Sequence, residues 1–224
     1  MKKIALITGA SKGIGKALAE KMLDENFCVI GTSRDGEFSD FNTKDFYALK
    51  LDLSNPTSIE NAHKEIFNTF KNIDILINNA GIGPDLDTYI PEKKSFNNTF
   101  EVNVDGAVFF TEPLIDMINH DGIILNVSSK MGSLDVCEST DSVAYRMSKS
   151  ALNMYSKILS NRLKGKPRVA SIHPGWVKTA IIESNLKNAR LTPGESADKI
   201  FKFLTMAFGN GIYWDCENET ELPW

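Results

Sequence analysis

Apolar residues recur along the chain in short continuous runs rather than at alternate positions. They read KIALIT (3–8), FCVIGTS (27–33), DFYALKLDL (45–53), IDILINNAG (73–81), GIILNVSS (122–129) and RVASIHPG (168–175), with GIYWD (211–215) last. Such Ile, Val and Leu runs predict strands covered on both faces. Between them lie segments whose apolar positions fall three and four apart: IGKALAEKMLDEN (14–26), PTSIENAHKEIFNTF (56–70), NTFEVNVDGAVFFTEPLIDMINH (98–120) and AYRMSKSALNMYSKILSNRLK (144–164). Those segments predict helices. Strands alternating with helices predict an α/β architecture, a doubly wound parallel sheet of about seven strands with helices on both faces. Residues 133–142 and 178–196 carry neither pattern and read as loops. Ligands of such sheets bind at the carboxyl ends of the strands, where these loops lie.

Composition narrows the picture further. The 224 residues suit a single domain, with a cofactor half over about 1–125 and a catalytic and substrate half over about 126–224. A net charge of −4 argues against nucleic acid as a partner. No apolar run approaches a membrane span, and "IALI" is too short for a signal peptide. Cys28, Cys137 and Cys216 are widely spaced, which suits a reducing compartment, the cytoplasm. The histidines lack metal-ligand spacing, so no metal site is expected.

The first strand runs into TGASKGIGKALAE, with Gly9, Gly13 and Gly15 immediately before a helical pattern. Glycine lets backbone approach a pyrophosphate, and a helix N-terminus supplies N–H groups and a favourable dipole. The second strand ends in GTSRD: Ser33 and Arg34 occupy the positions that select between dinucleotides, and Asp35 comes one residue late. A carboxylate there would hold a free ribose 2′-hydroxyl, whereas cations suit a 2′-phosphate. Arg34, with Lys12 from the glycine turn, therefore favours NADP(H) over NAD(H).

Two Tyr–Lys pairs share i,i+4 spacing, YIPEK (Tyr89, Lys93) and YRMSK (Tyr145, Lys149). Pro91 breaks any helix between the first two. Tyr145 and Lys149 open an uninterrupted helical run, and residues so spaced share one helix face. Carbonyl reduction needs a proton delivered to a developing alkoxide, and a phenol with pKa near 10 is a sluggish acid at neutral pH. An adjacent ammonium should lower that pKa, which makes Lys149 the expected tuner. Ser128 and Ser129, at the end of the fifth strand, are candidate second donors to the same oxygen.

TGASKGIG, NNAG (78–81), NVSS (126–129), YRMSK and HPGWVKT (173–179) follow the order and approximate spacing of the short-chain dehydrogenases/reductases, and the chain resembles that family over its whole length. The resemblance implies a Rossmann-like fold. It selects Ser129, three residues before Gly132, as the catalytic serine beside Tyr145 and Lys149. Asn103 matches the helix asparagine that holds a water linking the lysine to solvent. Gly9, Ser11, Lys12, Gly13, Ile14 and Gly15 are implied as cofactor contacts, with Ser33, Arg34, Asp52 and Leu53 around the adenosine. Asn79, Ala80, Gly81, Tyr145, Lys149, Pro174, Gly175, Val177 and Thr179 are implied around the nicotinamide half. Met131, Leu134 and Trp176 are implied as substrate contacts. One departure is the gap of 16 residues between Ser129 and Tyr145, a few longer than the family pattern.

AYRMSKSALNM, HPGWVKT and the closing ETELPW (219–224) are similar to the C-factor group, which includes sniffer-type carbonyl reductases. The implied function is NADPH-dependent reduction of a small or medium-sized ketone or aldehyde. The alternative is a cofactor-binding developmental signalling protein whose reductase activity is incidental. Sugar-nucleotide epimerases are disfavoured, because the chain leaves no room for their extra substrate domain. Val108, Phe109, Phe110, Leu152 and Tyr155 exceed what one sheet face needs, and with the family's habit of pairing these helices they predict a homodimer or homotetramer.

Overall fold

The computed structural model describes residues 2–224. Its strands are β1 (Ile4–Ile7), β2 (Cys28–Ser33), β3 (Phe46–Lys50), β4 (Ile73–Asn78), β5 (Ile118–Val127), β6 (Arg168–His173), β7 (Ile212–Asp215) and β8 (Thr220–Glu221). They form one sheet in the order β3, β2, β1, β4, β5, β6, β7, β8. All pairings up to β7 are parallel, and β8 returns antiparallel to β7. The strand order reverses between β1 and β4, which opens a crevice at their carboxyl ends.

The continuous apolar runs fill two cores at once, since successive strand residues face opposite sides. Ala5, Ile7, Ile77, Leu125 and Ile172 pack beneath helices α1 (Gly13–Asp24) and α7 (Pro193–Thr205). Leu6, Ile30, Leu76, Ile124 and Val169 pack on the other face beneath α2 (Pro56–Thr69), α4 (Ala107–Thr111) and α5 (Val143–Leu163). Among the described residues no helix is long and apolar enough to cross a membrane.

Three expectations change. The sheet has eight strands, because the chain turns at Glu219, φ +54°, and Glu221 pairs back with Trp214. The helix expected over 98–120 begins earlier, as α3 (Lys93–Phe100), and passes through a π-helical turn (Glu101–Gly106) into α4. A tighter turn over Glu112–Met117, with Pro113 in its first positions, then ends it, and Ile118 already belongs to β5. Gly106 allows this path to press on the neighbouring chain: a Cβ there would lie 2.5 Å from the Leu53 carbonyl oxygen. The stretch 178–196 is not all loop. It holds α6 (Glu183–Asn188) and the start of α7, whose Thr192 and Glu195 form a reciprocal capping box ahead of an apolar face.

Candidate active site

β1 delivers the chain into a turn that needs bare backbone. Gly9 and Gly13 have φ of +68° and +57°, the region glycine adopts freely. A Cβ on Gly15 would lie 2.3 Å from the Gly9 carbonyl oxygen, so turn and helix start share one space. Asn79 locks the turn by donating through Nδ2 to the carbonyls of Thr8 and Gly9 at 2.8 and 3.3 Å. The N–H groups of Asn79 and Ala80 both donate to the Thr8 hydroxyl. Helix α1 starts without a side-chain cap and without an acidic residue in its first turn. Its first N–H groups and positive dipole end are open to an anion. Ser11, Lys12 and Arg34 are exposed around this end. Neither cation forms a salt bridge among the described residues. Asp35, by contrast, is occupied: Oδ1 accepts from the Ser33 hydroxyl at 2.7 Å and the Glu37 N–H at 3.1 Å. A backbone cradle, an open helix N-terminus and two free cations fit a phosphate-bearing dinucleotide.

From this end a cleft of about 560 Å³ runs along the strand ends. Ile14, Asn79, Gly81, Pro174, Gly175, Val177 and Thr179 line it on the cofactor side, with Ser129, Tyr145 and Lys149 at its floor. Leu86, Met131, Trp176, Ile181 and Ile182 supply an apolar wall. Thr179 reaches the glycine turn, its methyl 3.4 Å from where a Gly13 Cβ would lie.

Helix α5 sets Tyr145 and Lys149 one turn apart, with Nζ 5.6 Å from the ring centroid. The lysine is buried and donates to the Val127 carbonyl at 2.9 Å. Ser129 caps a single turn over Lys130–Gly132 by accepting from the Met131 N–H at 3.2 Å. The Ser128 hydroxyl is spent on the Lys149 carbonyl at 3.4 Å, which leaves Ser129 to face the phenol. Gly132 permits the fit, since a Cβ there would lie 2.8 Å from the Lys149 Cβ. Asn103, buried in the π-helical turn, accepts from the Ile82 N–H and donates to the Ile82 carbonyl, each at 2.8 Å. It also donates to Ser148 at 3.1 Å, tying the chain after β4 to α5. A Cβ on Gly81 would lie 3.2 Å from Asn103 Oδ1 and 3.4 Å from Lys149 Nζ, so the three converge. The other pair does not assemble: Tyr89 is exposed in a bend, and α3 begins only at Lys93.

The short chain dehydrogenase family pattern matches residues 3–190. The chain belongs to that family. It is 32% identical over 199 residues to the 3-oxoacyl-[acyl-carrier-protein] reductase FabG of Buchnera aphidicola, covering 85% of this chain and 80% of that one. Among solved structures it resembles a short-chain dehydrogenase/reductase from Burkholderia multivorans with bound NADP, at TM-score 0.89 and 28% identity over 100% of both chains. It also resembles the carbonyl reductase Sniffer of D. melanogaster, at TM-score 0.86 and 25% identity, again over 100% of both. It is therefore an oxidoreductase of a family that uses nicotinamide cofactors.

Burial dominates the electrostatics of this short-chain dehydrogenase. It pushes the Tyr145 phenol up to about 12, with the Ser129 hydroxyl acting in the opposite direction. It pulls the Lys149 ammonium down to about 8. The expected lowering of the phenol by Lys149 is not what the protein alone produces. The ammonium is engaged by the Val127 carbonyl, and desolvation is the largest cause of the upward shift.

Neither Leu134 nor Leu53 lines the cleft. Leu134 is 78% exposed, because its N–H is drawn to the Trp224 carbonyl at 2.8 Å and its side chain leaves the cleft. The Leu53 side chain lies in the core beneath α2 and α4. Asp52 commits Oδ1 to the N–H and hydroxyl of Ser54 at 3.0 and 2.7 Å, shaping the turn after β3. Trp176 stands at the cleft mouth, held by its indole N–H on Asn185 Oδ1 at 2.9 Å. Among the described residues no cluster of three or more His, Cys, Asp and Glu could hold a metal.

Sequence reasoning passed over Asp85. This carboxylate is 2% exposed and accepts from the N–H groups of Ala144 at 2.7 Å and Tyr145 at 3.2 Å. Ser142, at φ +56°, makes no side-chain cap to α5, so Asp85 caps the catalytic helix from a distant loop. Asp87 in the same loop accepts from Ser184 at 3.0 Å, linking α6 to the cleft rim. A second feature is a buried polar chain under the site. Asn78 donates to Thr111 and Asn126 at 2.8 Å each, and Asn126 donates to Ser156 at 2.7 Å. The available signal was an asparagine at matching ends of neighbouring strands, Asn78 against Asn126.

Proposed function

We propose that this short-chain dehydrogenase reduces a small or medium-sized, largely apolar ketone or aldehyde with NADPH, as a carbonyl reductase of the C-factor and sniffer-type group. The observation that carries this reading is a half-buried phenol and the Ser129 hydroxyl lining one apolar-walled cleft that continues to the glycine turn. Bound nicotinamide would supply the hydride. A substrate carbonyl set between Tyr145 and Ser129 would take its proton from the phenol while the Ser129 hydroxyl stabilises the developing alkoxide. A phenol near 12 stays protonated at neutral pH and so carries the proton the alkoxide would take. Lys12 and Arg34 would hold a 2′-phosphate, and α1 the pyrophosphate. The likeness to Sniffer supports the group assignment.

A 3-oxoacyl thioester is the second reading, favoured by the likeness to FabG. The deciding experiment is a carbonyl panel with NADPH, including simple ketones, aldehydes and a 3-oxoacyl thioester, read by absorbance loss and repeated with Tyr145→Phe. Turnover of a simple carbonyl that falls by roughly 10²–10⁴ in the variant supports the reading, and Tyr89→Phe should stay within about threefold. Full activity in Tyr145→Phe would exclude the mechanism. A phenotype that survives Tyr145→Phe with no turnover in the panel would favour a signalling role.

Self-association is part of the proposal. Phe110 and Leu152 belong to the core, but Phe109, Met147, Met154 and Ile158 stand exposed. The last three follow one face of α5, and they, like Phe109 on α4, are apolar side chains that a second copy would cover. Three free thiols fit the cytoplasm as its place.

A further inference from the structure

The closing residues Leu222, Pro223 and Trp224 lie against the turn that carries Ser129. β7 brings Tyr213 beneath that turn, fully buried, where its hydroxyl donates to the Ser129 carbonyl. Trp224 stacks on Tyr213 with ring centroids 5.3 Å apart and planes inclined by 25°. Lys157 of α5 lies over the Trp224 ring at 5.6 Å. Backbone bonds complete the contact: the Leu222 N–H donates to the Tyr213 carbonyl at 2.7 Å, and the Leu134 N–H to the Trp224 carbonyl at 2.8 Å. The Ser133 hydroxyl donates to the Pro223 carbonyl at 2.7 Å. The segment 129–134 is thus held at both ends by residues some ninety positions away, while Ser150 and Asn153 of α5 hold its middle at the Gly132 carbonyl.

We propose that Tyr213 and Trp224 are positioning residues that set the Ser129 hydroxyl against Tyr145 by holding the backbone on which Ser129 stands. The proposal rests on the role given to Ser129 above. Neither side chain lines the cleft, so each acts through the serine. Pro223 stiffens the segment by fixing its own φ. The aromatic stack keeps the Tyr213 hydroxyl aimed at one carbonyl, and a displacement of about 1 Å at a reacting group is enough to lower a rate roughly a hundredfold.

The test is a double-mutant cycle on whichever carbonyl the panel shows to be reduced. Trp224→Ala and Tyr213→Phe should each lower kcat by about tenfold or more, with the NADPH dissociation constant within about twofold of wild type. In a Ser129→Ala background the same changes should lower kcat by less than about twofold, because the group they position is gone. Trp224→Phe, which keeps a ring on Tyr213, should recover most of the rate. Equal losses in both backgrounds would mean a general structural role and overturn the proposal, as would full kcat in Trp224→Ala. Should Trp224→Ala fail to fold, Tyr213→Phe, which removes one oxygen, carries the same cycle. Full turnover in Ser129→Ala would overturn the catalytic reading itself, and this proposal with it.

Discussion

Lys149→Met tests how far the site is built against the stability of the fold. The wild-type lysine is 4% exposed, its ammonium donates to the Val127 carbonyl, and burial lowers its pKa from 10.5 to about 8. At about 1.4 kcal/mol per unit, that shift means the charged lysine destabilises the folded protein by about 3 kcal/mol at pH 7. Methionine has a similar length and no charge. It forfeits the bond to Val127, worth about 1 kcal/mol, so the variant should be more stable by about 2 kcal/mol. For a chain of this size that corresponds to roughly 4–8 °C in Tm. The sign with pH follows from linkage. A folded-state pKa below the unfolded one gives stability that is full above pH 10.5 and lost as pH falls through about 8. The advantage of the variant should therefore be complete at pH 7, shrink as pH rises from about 8, and disappear by about 10.5. Urea unfolding of both proteins without cofactor at pH 7 and pH 10 measures it, and carbonyl turnover should be lost in the variant throughout. A variant no more stable at pH 7, or a difference unchanged at pH 10, would refute the reasoning.

NADPH should bind at least about tenfold more tightly than NADH, roughly 1.4 kcal/mol, and Arg34→Ala should remove most of that difference through NADPH alone; titration of both cofactors checks it. Asp85→Ala leaves the Ala144 and Tyr145 N–H groups without their acceptor at a buried helix end, so unfolding free energy should fall by about 1–2 kcal/mol and kcat should drop. Asp85→Asn, which keeps an acceptor oxygen, should recover part of both. Light scattering at micromolar concentration should give a dimer or tetramer mass, and a value near 24.9 kDa would refute association.

Local sequence sets the alternation of strands and helices, the glycine turn, the Ser129 end of β5 and the helical pairing of Tyr145 with Lys149. Each depends on backbone geometry over a few residues: period in a helix, glycine at positive φ, proline as a breaker in the 89–93 decoy. Tertiary structure alone decided what those residues meet. Asp85 reaches the start of α5 from about sixty residues away and Trp224 reaches Leu134 from ninety, contacts that follow from strand order and leave no local pattern. The π-helical turn under Asn103 arises where Gly106 presses on Leu53. Even the direction of the Tyr145 shift was a tertiary fact: spacing predicts an ammonium beside a phenol, but the water the folded chain removes from the phenol sets the direction, which is upward.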